Sequence, residues 1–183
     1  SNGVKVIVKP TDYKEDEILF QAFKYGGAAL YPVSEANDVL LMGNAFQLSD
    51  MGNFNQKMIN RYLTGKTVGL GYGVGQFSNY FQGNSTVKDL PTLMELIYTA
   101  FTNINPNEET YNNFVARIIP QYEAAEKSPE FIFEQHKQNA TYGNNPLTQV
   151  VTADVMRGAD YKRMLQLYKE SVADPSDYTF LFT

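Results

Sequence analysis

The chain holds one histidine, His136, and no cysteine. That shortage limits the chemistry before any fold is considered. A zinc site of the H-x-x-E-H kind needs two histidines on one helical face and a glutamate base. Glu134 stands two residues before His136, on a different face of a helix, so His136 reads as an ordinary helix residue. Nucleophilic catalysis needs a base beside the nucleophile. Ser85 lies in Gly83-Asn84-Ser85-Thr86, which is not a G-x-S-x-G elbow, and reads as shaping the start of the next helix. The acidic runs Glu15-Asp16-Glu17 and Glu108-Glu109 read as solvated or helix-dipole charges. Arg117 and Tyr122 lie five apart on one predicted helix. They could engage a peptide backbone or terminus, but structural roles suit them better. No catalytic residue, metal ligand or cofactor-binding residue is therefore assigned in this chain.

One pattern remains. Gly69, Gly71, Gly73 and Gly75 alternate with Val68, Leu70, Tyr72 and Val74. In a strand this makes one face apolar and the other bare. A phosphate loop is the other reading, but it lacks the G-x-G-x-x-G and G-K-[ST] spacings, and a second strand follows in place of a helix. The bare face instead lets another backbone or a bound peptide come close.

The surrounding elements must hold that strand. Residues 4–8 are a short β-branched run, and residues 11–16 read as a turn. Residues 17–25 form a strand with apolar positions on both faces, hence central in a sheet, and residues 28–31 resume it after Gly26-Gly27. Ser34 caps a helix over residues 35–48 with Val39, Met42, Ala45 and Phe46 as its stripe. A helix over residues 55–63 stops near Gly65. Strands over 68–75 and 77–83 follow. Thr86 and Asp89 make a capping-box variant, so the next helix begins between them. Its stripe is Leu90, Leu93, Met94, Ile97, Tyr98 and Phe101. Asn107 caps a helix carrying Tyr111, Phe114, Val115, Ile118, Ile119 and Tyr122, which Pro120 should kink or end. Ser128-Pro129 opens a helix that runs to Tyr142 and stops at Gly143. Residues 144–151 are a loop and residues 152–157 one helical turn. Asp160 caps a helix over 161–172 with Met164, Leu165 and Tyr168 apolar, and residues 178–183 are β-rich. This pattern predicts an α+β fold: a mostly antiparallel sheet with helices packed on one face.

At 183 residues the chain suits one domain, taken as residues 4–183. Ser1-Asn2 reads as an expression scar, so residues 1–3 are set aside, and the end on a strand reads as a cloning boundary. The net charge of −5 does not favour nucleic acid. No apolar run approaches the roughly 20 residues that span a bilayer, and no signal peptide is visible. Without cysteine there are no disulfides or thiolate metal sites, and the compartment stays open.

Several pieces, ordered along nearly the full length, carry a family resemblance. They are Glu17-Ile-Leu-Phe-Gln-Ala-Phe-Lys-Tyr-Gly-Gly-Ala-Ala-Leu-Tyr31, Met51-Gly-Asn-Phe54 and Leu63-Thr-Gly-Lys66. Then come Phe81-Gln-Gly-Asn-Ser-Thr-Val-Lys-Asp-Leu-Pro-Thr-Leu-Met-Glu-Leu-Ile-Tyr98, Phe101-Thr102, Ser128-Pro-Glu130, Tyr142-Gly-Asn144 and residues 174–182. The chain resembles a non-catalytic domain of the pitrilysin/insulinase family of zinc metallopeptidases, in particular the third domain of the bacterial zinc proteases.

The resemblance implies an α+β domain of the LuxS/MPP-like type. Four such homologous domains, in one chain or in paired subunits, enclose a chamber with sheets facing inward and helices outside. It also implies a parent enzyme that hydrolyses peptides with zinc held by H-x-x-E-H in its first domain. In a catalytic domain that motif would fall on the helix over residues 35–48, which contains no histidine. No ligand or base is therefore carried over, and this chain is expected to be inactive alone. The implied partners are sister domains and unfolded peptide, with a periplasmic or cell-envelope address. The implied substrate-facing surface is the face bearing Gly69, Gly71, Gly73 and Gly75. The alternative is a catalytically dead homologue acting as a peptide-binding or assembly subunit. A third reading, a hydrolase using Ser85, His136 and a carboxylate, finds no elbow to support it.

Overall fold

Strand β1 (Ile18–Tyr25) lies inside the main sheet, between β4 (Ser78–Ser85) and β6 (Thr179–Phe182). Strand β3 (Val68–Val74) completes the order β3-β4-β1-β6, and every pairing is antiparallel. This is a computed structural model, and it describes residue 7 and residues 16–183. Apart from Ile7 and Asp16, the run at 4–8, the turn at 11–16 and residues 1–3 lie outside the described residues. A second, two-stranded sheet pairs β2 (Asp50–Met51) with β5 (Ile104–Asn105).

The central place of β1 follows from its composition: Phe20 and Ala22 are buried beneath the sheet, and Leu19, Phe23 and Tyr25 project from the other side. Under the sheet lies an aromatic core. Phe81, fully buried, has ring centroids 5.0 Å from Tyr72 and from Phe101 and 5.9 Å from Phe46. Tyr72 meets Tyr168 edge-on at 4.8 Å. Tyr168 belongs to α8 (Tyr161–Ser171), which also buries Tyr161, Met164, Leu165, Leu167 and Ser171. The other helices are α1 (Ala36–Leu40), α2 (Met42–Leu48), α3 (Gln56–Tyr62), α4 (Leu90–Thr102), α5 (Glu108–Ala125), α6 (Pro129–Tyr142) and α7 (Ala153–Gly158). Gly43 lets α2 lie close against β3: a Cβ there would stand 3.1 Å from the Tyr72 carbonyl oxygen.

The caps at Asn55, Asn107, Ser128, Thr152 and Asp160 each accept a backbone N–H of the first turn. Gly143 closes α6 in the left-handed region at φ 64°. Despite these caps, α6 buries none of its residues.

Several expectations are corrected. Residues 28–31 do not extend β1: Gly27–Leu30 is a 3-10 turn, which Gly26 at φ 126° and Gly27 at φ 57° make accessible. Ser34 caps nothing, because it sits inside the 3-10 turn Val33–Glu35, and the helix predicted over 35–48 is broken at Leu41 into α1 and α2. Helix α4 begins at Leu90, just after the Thr86–Asp89 turn. It is also rotated from the predicted stripe. Thr92, Leu93, Leu96, Ile97 and Ala100 are buried, and Met94 and Tyr98 are exposed. Small residues at 92 and 100 let the backbone approach the sheet, which turns the bulkier Met94 and Tyr98 outward. Pro120 does not end α5. It lies on the exposed side, where the carbonyl it deprives of a partner can be hydrated.

Candidate functional site: the open face of the sheet

Strand alternation and register define the surface opposite the helices. Gly69, Gly71 and Gly73 of β3 stand opposite Asn84, Gln82 and Tyr80 of β4. Those three face Leu19, Gln21 and Phe23 of β1, and Gln21 and Phe23 face Leu181 and Thr179 of β6. None of these strand positions carries a charge. The one basic residue in β1, Lys24, reaches to the inner side, where its ammonium donates to the Ser171 carbonyl at 3.1 Å and to Asp177 at 2.9 Å. Leu19, Gln21, Gln82 and Leu181, with neighbours, line a shallow depression of about 350 Å³.

The glycines are not equivalent. At Gly71 an added Cβ would meet only the Gln82 carbonyl oxygen, at 3.9 Å, so this position is bare. At Gly73 it would stand 2.6 Å from the Tyr80 ring, which lies across the glycine. An aromatic over a cross-strand glycine shields that stretch of backbone. At Gly69 the Asn84 side-chain oxygen would be 2.9 Å away. Gly75 lies just past the end of β3, where its N–H donates to the Ser78 carbonyl at 2.8 Å. Sequence reading put all four glycines on one open face and missed that Tyr80 and Asn84 fill two of the gaps. The register that sets Tyr80 opposite Gly73 was the available signal.

Directly behind this face the polar groups are buried and mutually engaged. The Tyr72 hydroxyl is 2.9 Å from Ser171 Oγ, which donates to the Tyr168 carbonyl at 2.7 Å. Burial pushes the Tyr72 and Tyr168 phenols far above their ordinary range, and Tyr178 up to about 12. These phenols stay protonated and serve packing. Asn79 is also completely buried, and its amide lies near the Tyr31 hydroxyl, where it partly offsets the rise that burial imposes on that phenol.

The other singled-out residues are dispersed. Ser85 is buried and donates to the Thr86 carbonyl at 2.8 Å. His136 is exposed on α6, where neighbouring Glu134 pairs with Lys137. Arg117 is exposed on α5, and Tyr122 packs against the core. Among the described residues no group of three histidines or carboxylates could hold a metal ion.

No family model matches the chain. In sequence it is 25% identical over 180 residues to a PQQL-like zinc protease of Arabidopsis thaliana, a match covering 98% of this chain and 16% of that protein. Its fold superposes on the periplasmic protease PqqL from Escherichia coli with a TM-score of 0.72, at 14% identity, over 96% of this chain and 19% of that one. A peptidase M16 inactive domain from Pseudomonas fluorescens gives a TM-score of 0.70 at 12% identity, over 94% of this chain and 42% of that one. The fold is thus the α+β fold found in M16 peptidases. More particularly, the chain is similar in sequence to a PQQL-like zinc protease, and it shares its fold with a peptidase M16 inactive domain.

Proposed function

We propose that this chain is one non-catalytic domain, residues 4–183, of a longer zinc metalloendopeptidase, and that the open face of its sheet lines the space where peptide is confined. The observation that carries the reading is the face itself: uncharged, bare at Gly71, opposite the helix layer, in a chain similar to a zinc protease. An uncharged wall with amide side chains and one bare backbone stretch accepts extended peptides of varied sequence, because no side chain on it demands a particular charge. Zinc belongs to a different domain of the parent, where it would supply an activated water for peptide hydrolysis. This chain's part is to confine and to pack against sister domains. The address of the E. coli protein supports a periplasmic or cell-envelope setting.

Peptide cleavage by the full-length polypeptide tests this. Gly71→Leu should slow cleavage of long unfolded peptides several-fold and leave short ones nearly unchanged. Equal rates for both substrates in the variant and the wild type, with the fold intact, overturn the chamber-wall reading. Absence of H-x-x-E-H from the full reading frame, with no cleavage at all, selects instead a dead homologue that binds peptide or supports assembly.

A further inference from the structure

The motif Met51-Gly-Asn-Phe54 has no part in the open face. It forms a turn outside the main sheet, at the end of a groove between α3 and α4. The turn is fastened on every side. Met51 N–H donates to the Phe54 carbonyl and Phe54 N–H to the Met51 carbonyl, both at 3.0 Å. Gly52, at φ 61°, donates to the Asn103 carbonyl at 2.7 Å and accepts from the Asn105 side chain at 2.8 Å. Asn55 then caps α3 through Met58 N–H at 3.0 Å. This rigid turn nevertheless leaves Phe54 54% exposed.

Beside Phe54 the groove has a volume of about 260 Å³, with Met51, Ile59, Tyr62 and Leu96 among its walls. Its one carboxylate, Glu95, is engaged by the Tyr62 hydroxyl at 2.8 Å, and the Tyr62 ring carries Lys66 at 3.8 Å from its centroid. The groove is therefore apolar, with its charges already satisfied at the rim. Met58, 51% exposed and one turn before Tyr62 on α3, adds apolar surface beside the groove. A pre-ordered aromatic beside an apolar pocket loses little conformational freedom on association, which suits a lasting contact.

We propose that this groove docks another domain of the full-length polypeptide, which inserts an apolar side chain beside Phe54. The occupant follows from length: the match covers 16% of the Arabidopsis relative, so most of that protein lies elsewhere in its chain. The proposal rests on the reading of this chain as one domain of a longer protease. The two surfaces then divide the work, with the uncharged sheet face left for transient peptide and the α3–α4 groove held permanently.

The test places the photo-crosslinker p-benzoylphenylalanine at position 54 of the full-length polypeptide and maps the products by mass spectrometry. Hydroxyl-radical labelling of Phe54 in the wild type is measured alongside, relative to the urea-unfolded polypeptide. The expected result is a crosslink at monomer mass to residues outside 1–183, with Phe54 labelled several-fold more slowly than in the unfolded chain. A crosslink at dimer mass makes the occupant a second copy and overturns the proposal. A crosslink formed only with added peptide makes the groove a substrate site and overturns it too. Labelling as fast as in the unfolded chain, with no crosslink, shows an open groove and equally overturns it. Peptide cleavage is not read in this experiment, so failure of the docking proposal and failure of the protease reading are separately visible.

Discussion

On β3, Leu70 and Tyr72 turn toward the helices, and Gly69, Gly71 and Gly73 turn away. The same strand thus belongs to two materials. Its inner side joins an aromatic core in which Phe81 and Tyr168 are fully buried. Its outer side has almost no side-chain bulk, and what shields it comes from β4 through Tyr80 and Asn84. A sheet needs only one packed face to be held. The chain has put most of its packing on one face, which leaves fewer contacts to disturb on the other.

That contrast can be broken most forcefully from the inside. Phe81→Ala should cost about 3–5 kcal/mol, read as a shift in denaturant midpoint, since its ring is buried among Tyr72, Phe46 and Phe101. A loss no greater than that of an exposed residue would mean the core lies elsewhere. Alkali probes the same face. Tyr178, held protonated up to about 12, ionises near its ordinary value of about 10 once unfolded. Its contribution is complete below pH 10 and disappears as the pH rises toward 12, an effect on the order of 3 kcal/mol. Tyr178→Phe should flatten that decline; an unchanged pH profile would assign the loss to other groups.

Glycine substitutions then compare the two sides directly. Gly83 faces inward, where a Cβ would meet the Gly69 carbonyl at 2.7 Å and Phe20 and Leu93 at 3.2 and 3.3 Å. Gly83→Ala should cost about 2 kcal/mol. Gly73→Ala has only the end of the Tyr80 side chain to displace and should cost about 1 kcal/mol, most of it recovered in a Tyr80→Ala background. Persistence of the full cost there would refute the Tyr80 explanation. Gly71→Ala should stay within about 0.5 kcal/mol, because nothing lies closer than ordinary contact. If it destabilised as much as Gly83→Ala, the outer face would not be open at Gly71.

The sequence carried much of this layout. Alternation at 68–75 gave both the strand and its bare side, and the apolar run of β1 gave its central place. The caps at Asn107, Ser128 and Asp160 gave helix starts, because each is a local exchange between a side chain and an N–H. What could not be read was decided by distant neighbours. The rotation of α4 depends on how closely Thr92 and Ala100 let the backbone approach the sheet. The break at Leu41 sits where α2 settles against β3 through Gly43. Periodicity places apolar residues on a helix but cannot tell which of them will meet a partner. Met94, Tyr98 and Phe54 are apolar residues left outside the core, and Phe54 stands beside the candidate docking groove.

Helix α6 carries a consequence of a different kind. It has a capping serine, a proline at its start and a left-handed glycine at its close, yet no residue of it is buried, whereas α8 buries six. Caps define where a helix begins and ends but contribute only on the order of 1 kcal/mol each, and most helical stability in proteins comes from packing. The amides of α6 should therefore exchange with solvent deuterium through local fraying, long before those of α8, which wait for the whole molecule to open. The element with the clearest punctuation in the sequence would be the first to melt.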